Sequence, residues 1–290
     1  MSFVRCATVA DAVAAVRGSD GRAKFVGGGT ALVLLMQMRL LELDTLVGVS
    51  AVTDVPGWRE ITRRGDTLRI GGGVTLSEIA ASASVRRYAP SLARAASVVG
   101  NVRVRNMATL AGNIAEADYA SDPPAVLVSL DASVAVHDGV RQRAVAARDV
   151  FTDFYTTSLD EADLVTGVSV PVVDGAVSTY RKFASRSVED RPCVGVAVSA
   201  RFEDGVVDAL EVVLGAVSGT PQRWPGITEQ AMGRPLSGAV VATIADGYAD
   251  AVDPIADVRG SAWYRREMVR VNVRRALEEV AARAAGRADD

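Results

Sequence analysis

The sequence predicts an α+β protein made of two successive α+β units rather than a regular βαβ alternation. Three observations carry this. Two short apolar runs, residues 23–26 and 67–70, each lead into three consecutive glycines, and a threonine opens the helical pattern beyond. From about residue 175 three segments alternate in the manner of strands. After Pro221 the pattern turns helical up to the C-terminal region.

The elements follow in order. Residues 8–17 form a helix, with Thr8 as N-cap and Asp11 three positions on. Residues 23–26 form a strand, Gly27–Gly29 a turn, and residues 31–39 a helix after Thr30. The strand at 67–70 is closed by Gly71, Gly72 and Gly73. Thr75 and Glu78 then make a capping box for a helix over 76–87. A further helix covers 91–99. Residues 100–120 show no clean period and carry repeated Asn and Gly, which predicts an ordered, irregular loop. Asp122 and Pro123 fit the N-cap and first position of another helix. Residues 133–136 and 142–146 flank an Asp138-Gly139 turn and form a hairpin. A strand at 164–170 ends at Pro171. Strands at 179–184, 194–202 and 206–217 and helices at 227–232, 239–252 and 261–285 complete the chain.

Composition excludes several classes. The 290 residues contain one histidine and two cysteines. That is too few for a Cys₂His₂ or Cys₄ zinc site, for a two-histidine metalloprotease helix, or for four thiolates on an iron–sulfur cluster. No metal site is expected. A net charge of −3 argues against a nucleic-acid footprint. Of the 32 basic residues only Lys24 and Lys182 are lysine, a bias we attribute to a GC-rich genome. The most apolar run, residues 31–38, is too short to span a bilayer, and no leader is evident. Cys6 and Cys193 read as free thiols in a reducing, cytoplasmic setting, with a single disulfide as the alternative.

The glycines are the informative residues. Val-Gly-Gly-Gly-Thr ahead of a helix presents free backbone N–H groups and a hydroxyl, a cradle for pyrophosphate. The same string also serves as a plain strand-to-helix turn. It is neither a P-loop nor a Rossmann fingerprint, since no Lys-Ser/Thr follows and Leu32 stands where the third glycine belongs. Gly71–Gly73 reads as a packed tight turn. Thr109, Asn113, Ser121 and Asp122 bring hydroxyl, amide and carboxylate groups into one short stretch, suited to a ribityl chain or ribose. Asp122 also suits a purely structural cap.

At this point the residues resemble a known family. FVGGGTALVLLMQMRL (25–40) and RNMATLAGNIAEADYASDPPAVLVSLDA (105–132) resemble the two FAD-binding motifs of a flavoprotein subunit. That subunit is the FAD-binding (medium) subunit of the xanthine dehydrogenase/carbon monoxide dehydrogenase molybdenum hydroxylase family. STYRKFASR (178–186) and DVRGSAWYRREMVRVNVRRAL (257–277) resemble its C-terminal segments. Ala111 departs from the family's usual glycine, and Gly27 stands where an alanine often leads the first motif.

The resemblance implies a two-lobed, PCMH-like FAD-binding domain over residues 1–174, with lobes at about 1–57 and 58–174. A smaller α+β domain of the CO dehydrogenase flavoprotein C-terminal type would cover 175–290. It implies that Val26, Gly27, Gly28, Gly29, Thr30, Ala31 and Leu32 wrap the FAD pyrophosphate, and that Thr109, Gly112 and Asn113 contact pyrophosphate and ribityl. Ser121 and Asp122 would lie toward the flavin, with Tyr180 and Lys182 approaching from the C-terminal domain.

No catalytic residue of its own is implied. The chain would pass electrons from a small 2Fe–2S subunit, fed by a large molybdenum-cofactor subunit, to an external acceptor. His137 lies at a hairpin tip outside both motifs, so the FAD is expected to be non-covalent. A stand-alone flavoenzyme would need acid/base groups, for which Tyr180 and Glu116 are the candidates. A non-catalytic assembly protein that has lost FAD would not need the retained Gly28, Gly29, Thr30, Thr109, Asn113 and Asp122. In the C-terminal helix, Met268, Val271 and Leu277 are expected to be buried. Arg265, Arg266, Arg270, Arg274 and Arg275 would face water or an acidic partner.

Overall fold

The computed structural model describes residues 1–288. The N-terminal region runs β1 (Ser2–Arg5), α1 (Val9–Arg17), β2 (Ala23–Val26), α2 (Leu32–Gln37) and β3 (Thr45–Gly48). Its three strands are parallel in the order β1-β3-β2. Helix α1 is amphipathic, burying Val9, Ala12, Val13 and Val16 at helical spacing. Thr8 caps it, its hydroxyl accepting from the Asp11 N–H at 3.1 Å. Helix α2 buries none of its residues despite its apolar sequence.

The next region runs β4 (Ile61–Arg64), β5 (Thr67–Gly71), α3 (Leu76–Ala81), α4 (Ala83–Tyr88), α5 (Pro90–Val98), α6 (Val102–Met107), α7 (Leu110–Glu116) and α8 (Pro123–Ser129). It continues through β6 (Ser133–His137), β7 (Gln142–Ala146), α9 (Ala147–Val150), β8 (Phe151–Asp153), β9 (Thr156–Thr157) and β10 (Leu164–Pro171). Five of these strands form an antiparallel sheet, β4-β5-β10-β6-β7. Alternate residues Leu68, Ile70, Val134, Val136, Val168 and Val170 point into a core closed by Leu76, Ile79, Leu92, Leu110 and Ile114 from the helices.

Two expectations are corrected here. Residues 100–120 are not an irregular loop but contain α6 and α7. Each has fewer than two full turns, so no period shows; the caps are what start them. Asn101 Oδ1 accepts from Val104 N–H (3.1 Å), and Thr109 Oγ1 from Gly112 N–H (3.0 Å). The single helix expected over 76–87 breaks at Ser82, whose extended backbone ends α3 and whose hydroxyl caps α4. Its start is as expected: Thr75 and Glu78 make a reciprocal capping box.

The remainder is a three-stranded meander, β11 (Val177–Phe183), β12 (Val194–Glu203) and β13 (Val206–Gly215), followed by α10 (Pro225–Thr228), a 3₁₀ turn at Glu229–Ala231, α11 (Gly238–Ala251) and α12 (Ala262–Ala288). The buried stripe of α12 is Val269, Val273, Ala276, Leu277 and Val280. The expected stripe was offset, since Met268 and Val271 are only half-buried. Arg265 does not face water. It is fully buried and donates to Ala216 O (2.6 Å), to Cys193 O and to Asp257. Arg270 pairs with Glu267 and Asp246, while Arg274 and Arg275 are exposed. Both cysteines are free and buried. No helix among the described residues is long and apolar enough to cross a membrane.

Candidate cofactor site

Strand β2 delivers the chain to Gly27, and the next regular element starts only at Leu32. Among the described residues, the backbone N–H groups of Gly28, Gly29, Thr30 and Ala31 donate to no acceptor within the chain. Four successive free donors in a glycine loop are an anion seat. Gly29 has φ +68°, a left-handed conformation that favours glycine. Thr30 does not cap α2; Ala31 holds the cap position and offers no side-chain bond. Val26 is buried with Leu43 and Leu46, and Leu32 packs against them, so the two ends of the loop are fixed by apolar contacts.

The loop lies directly on the second glycine-containing stretch. A Cβ on Gly28 would sit 1.8 Å from Met107 O, and one on Gly27 would sit 3.1 Å from Thr109 Oγ1. The same stretch is tied from the other side to the residues after Gly73. Leu76 N–H donates to Ala108 O (2.9 Å), and Leu110 N–H donates to Val74 O (3.3 Å). Gly27, Gly28 and Thr109 thus line one small cavity of about 180 Å³ with Trp58, Gly73 and Thr75. Gly112 is exposed beside Thr109.

A second cluster forms where α7 turns into α8. Asn113 Nδ2 donates to Ser121 Oγ at 2.7 Å, and the Asn113 carbonyl oxygen is buried with no partner. Asp122 holds the cap position of α8 but does not cap it. Its carboxylate instead accepts from Tyr180 OH (2.7 Å) and Lys182 Nζ (3.1 Å), and the lysine also donates to Val98 O (2.7 Å). The expected capping role of Asp122 is therefore corrected: the group crosses to strand β11. Burial pushes the Asp122 carboxyl up to about 6, against the opposing pull of Lys182 and the Tyr180 hydroxyl. Burial, with the Asp122 charge, pushes the Tyr180 phenol well above its usual range.

The predicted residues therefore fall into two groups. Gly27, Gly28 and Thr109 line the first cavity, with Val26 and Gly29 to Leu32 in the adjoining loop and Gly112 exposed beside Thr109; Asn113, Ser121, Asp122, Tyr180 and Lys182 stand at the second cluster. Glu116 is half-buried, its carboxyl raised by burial and by Asp118, with Arg191 and Lys24 opposing. His137 lies in its hairpin, Nδ1 accepting from Gly139 N–H at 2.9 Å. Trp58 and Arg59 were not anticipated. The available signal was the second triple glycine, since such close packing needs a large neighbour. Cβ atoms on Gly72 and Gly73 would lie 2.5 and 2.6 Å from the Trp58 ring.

A glycine loop of free donors beside a small cavity, with an antiparallel meander joined to Asp122 through Tyr180 and Lys182, is the arrangement of a cofactor-binding α+β protein. Residues 1–173 match the FAD binding domain in molybdopterin dehydrogenase, and residues 178–280 match the CO dehydrogenase flavoprotein C-terminal domain. The chain belongs to this molybdenum hydroxylase family, as a medium, FAD-binding oxidoreductase subunit.

Among relatives, the glyceraldehyde dehydrogenase medium chain of Sulfolobus acidocaldarius is 30% identical, over 97% of this chain and 98% of that one. The nicotine 6-hydroxylase medium subunit of Paenarthrobacter nicotinovorans is 31% identical, over 91% and 92%. The solved structure of carbon monoxide dehydrogenase from Hydrogenophaga pseudoflava superposes with a TM-score of 0.92 at 28% identity, covering 98% of both chains. The free N–H loop, the unpartnered Asn113 carbonyl and the glycine seat suit FAD, an anionic and hydroxyl-rich group.

Proposed function

We propose that this chain is the electron-transfer subunit of a molybdenum hydroxylase complex. It takes electrons from a small 2Fe–2S subunit, which a large molybdenum-cofactor subunit reduces, and hands them to an external acceptor. FAD supplies the coupling between one-electron and two-electron transfer. Residues 1–174 hold the cofactor and residues 175–290 close it from the β11 side. Val26 to Leu32 seat the pyrophosphate, with the free N–H groups as donors and Val26 and Leu32 as anchors. Thr109 and Gly112 border that seat, and Asn113 offers its unpartnered carbonyl to a ribityl hydroxyl. Ser121 orients Asn113. Asp122, Tyr180 and Lys182 fix the two parts of the chain to each other beside the flavin end.

The observation that carries this reading is the engagement of the titratable groups at that end. Tyr180 and Lys182 both donate to Asp122, so neither is free to serve a substrate as acid or base. A subunit that only relays electrons has no need of such a group. Affinity purification from the native host, with flavin, molybdenum and iron assays, tests it. Flavin in this chain, with molybdenum and iron in co-purifying chains, is expected; a lone flavoprotein active on a small substrate overturns it. The FAD is held without a covalent bond, so acid denaturation should release all of it.

A further inference from the structure

The part of the chain beyond residue 175 grips the corner between α7 and α8 at two points. One is Asp122, held by Tyr180 and Lys182. The other is Tyr119, three residues earlier. Its carbonyl accepts from Ala216 N–H at 3.2 Å. Its hydroxyl accepts from Arg259 Nη2 at 2.6 Å and donates to Asp257 Oδ2 at 3.3 Å. These contacts close into a ring. Asp257 Oδ1 accepts from Arg265, Arg265 donates to Ala216 O, and Ala216 N–H returns to Tyr119. Arg259 belongs to the same ring. It pairs with Asp257 at 2.9 Å, and its guanidinium lies 5.4 Å from the centre of the Tyr119 phenol. Phe154 packs edge-on against that phenol, with centroids 4.9 Å apart.

Backbone strain marks both partners in this contact. Ala117 (φ +47°) and Ala216 (φ +65°) stand in the left-handed region without being glycine. A side chain with a Cβ stays there only where its surroundings over-determine it, and such strain gathers at functional sites. Ala216 is fixed in that way: it is 1% exposed, and its N–H and C=O are both spent within the ring. Ala117 ends α7, and the corner runs from it through Tyr119 to Ser121 and Asp122. Asp118 locks the bend. Its carbonyl accepts from Ser121 N–H (2.8 Å) and its carboxylate from Ala120 N–H (3.1 Å). The placement of Tyr119 therefore sets that of Ser121 and Asp122. A bond that merely joins the two parts of the chain exists elsewhere, where Ser91 N–H on α5 donates to Ser178 Oγ on β11 at 3.3 Å.

We propose that Tyr119, Asp257 and Arg259 are positioning residues for the flavin. The ring they close with Arg265 and Ala216 fixes the corner that presents Ser121 and Asp122 to the isoalloxazine half of FAD. None of the three needs to touch the cofactor; they act through the backbone of residues 119–122. The proposal rests on the assignment of the flavin end to the Asp122 side and of the pyrophosphate to the Gly27–Ala31 loop.

The test uses the full chain stripped of flavin, titrated separately with FAD and with ADP, which reaches the glycine seat but carries no flavin. Tyr119→Phe keeps the aromatic contacts and removes only the hydroxyl. It should weaken FAD by about 3- to 10-fold and leave ADP unchanged. It should also alter the visible circular dichroism of the bound flavin, which reports the surroundings of the isoalloxazine. Arg259→Gln should do the same, and it stands in if Tyr119→Phe fails to fold. Ser178→Ala is the control. It removes a bond between the same two parts of the chain away from the corner, and should leave FAD affinity and the dichroism as in the wild type. Equal losses for FAD and ADP, unchanged dichroism in both Tyr119→Phe and Arg259→Gln, or an equal effect of Ser178→Ala would overturn the proposal. A wild type that binds neither FAD nor ADP would instead overturn the assignment on which it rests.

Discussion

The two triple glycines share a sequence and border one cavity, but they use their backbone differently. Gly27–Gly29 leaves a run of backbone donors unspent and rests one Cα on Met107 O. Gly71–Gly73 spends its donors internally: Gly71 N–H on Glu60 O, Gly72 N–H on Thr166 O, and Gly73 N–H on Trp58 O. Glycine is needed at the second site for close packing, because Cβ atoms there would meet Gly57 O, Trp58 O and the indole ring. Composition fixes what a loop permits; the facing surface decides whether it is used for binding or for packing.

Substitutions can separate the two. The largest effect is expected at Gly71→Ala. Its Cβ would stand 2.1 Å from Gly57 O, a backbone atom of the turn before β4, and relief requires moving that turn or strand β5. Denaturant unfolding of the flavin-free chain should show a loss of about 3 kcal/mol. Gly28→Ala should lose about 1–3 kcal/mol through its clash with Met107 O. Its distinguishing result is a fall in FAD affinity of at least about tenfold, because it also disturbs the donor loop. If Gly28→Ala binds FAD normally, the contrast between the loops fails.

Asp122→Asn probes the second cluster through pH. The raised carboxyl, near 6 in the folded chain against an ordinary 3.8, favours the protonated folded form. Its stabilisation is full below about pH 4 and is lost as pH rises through 6. The stability of the wild type minus that of the variant should thus fall by about 2–3 kcal/mol between pH 4 and pH 7. A flat difference would show that Lys182 fully compensates the buried charge. The smallest effect is expected at Thr109→Val, which removes the cap on Gly112 N–H. Thermal unfolding should report about 1 kcal/mol, with a few-fold loss in FAD affinity.

Much of the fold was legible because its determinants are local. Thr8 with Asp11 and Thr75 with Glu78 announce their helices within four residues, and the 133–146 hairpin is signalled by Asp138 and Gly139. The glycine seat and the polar stretch from Thr109 to Asp122 were legible by chemistry and by resemblance. What escaped depends on distant partners. Asp122 occupies a cap position in sequence, yet Tyr180 and Lys182, about 60 residues away, determine what it does. Arg265 looks like one basic residue among many in α12 until Cys193, Ala216 and Asp257 surround it. Trp58 carried no motif, and only the packing of Gly72 and Gly73 gives it a place. Short helices such as α6 and α7 have too few turns for periodicity to show.

Arg265 also sets an order in time. Its guanidinium holds the Cys193 and Ala216 carbonyls, but it is made 72 residues after the first of them. At synthesis rates of roughly 5–20 residues per second, the Cys193 carbonyl waits about 4–14 seconds for the side chain that ties it to Ala216. Until then the start of β12 and the end of β13 lack the guanidinium that joins them.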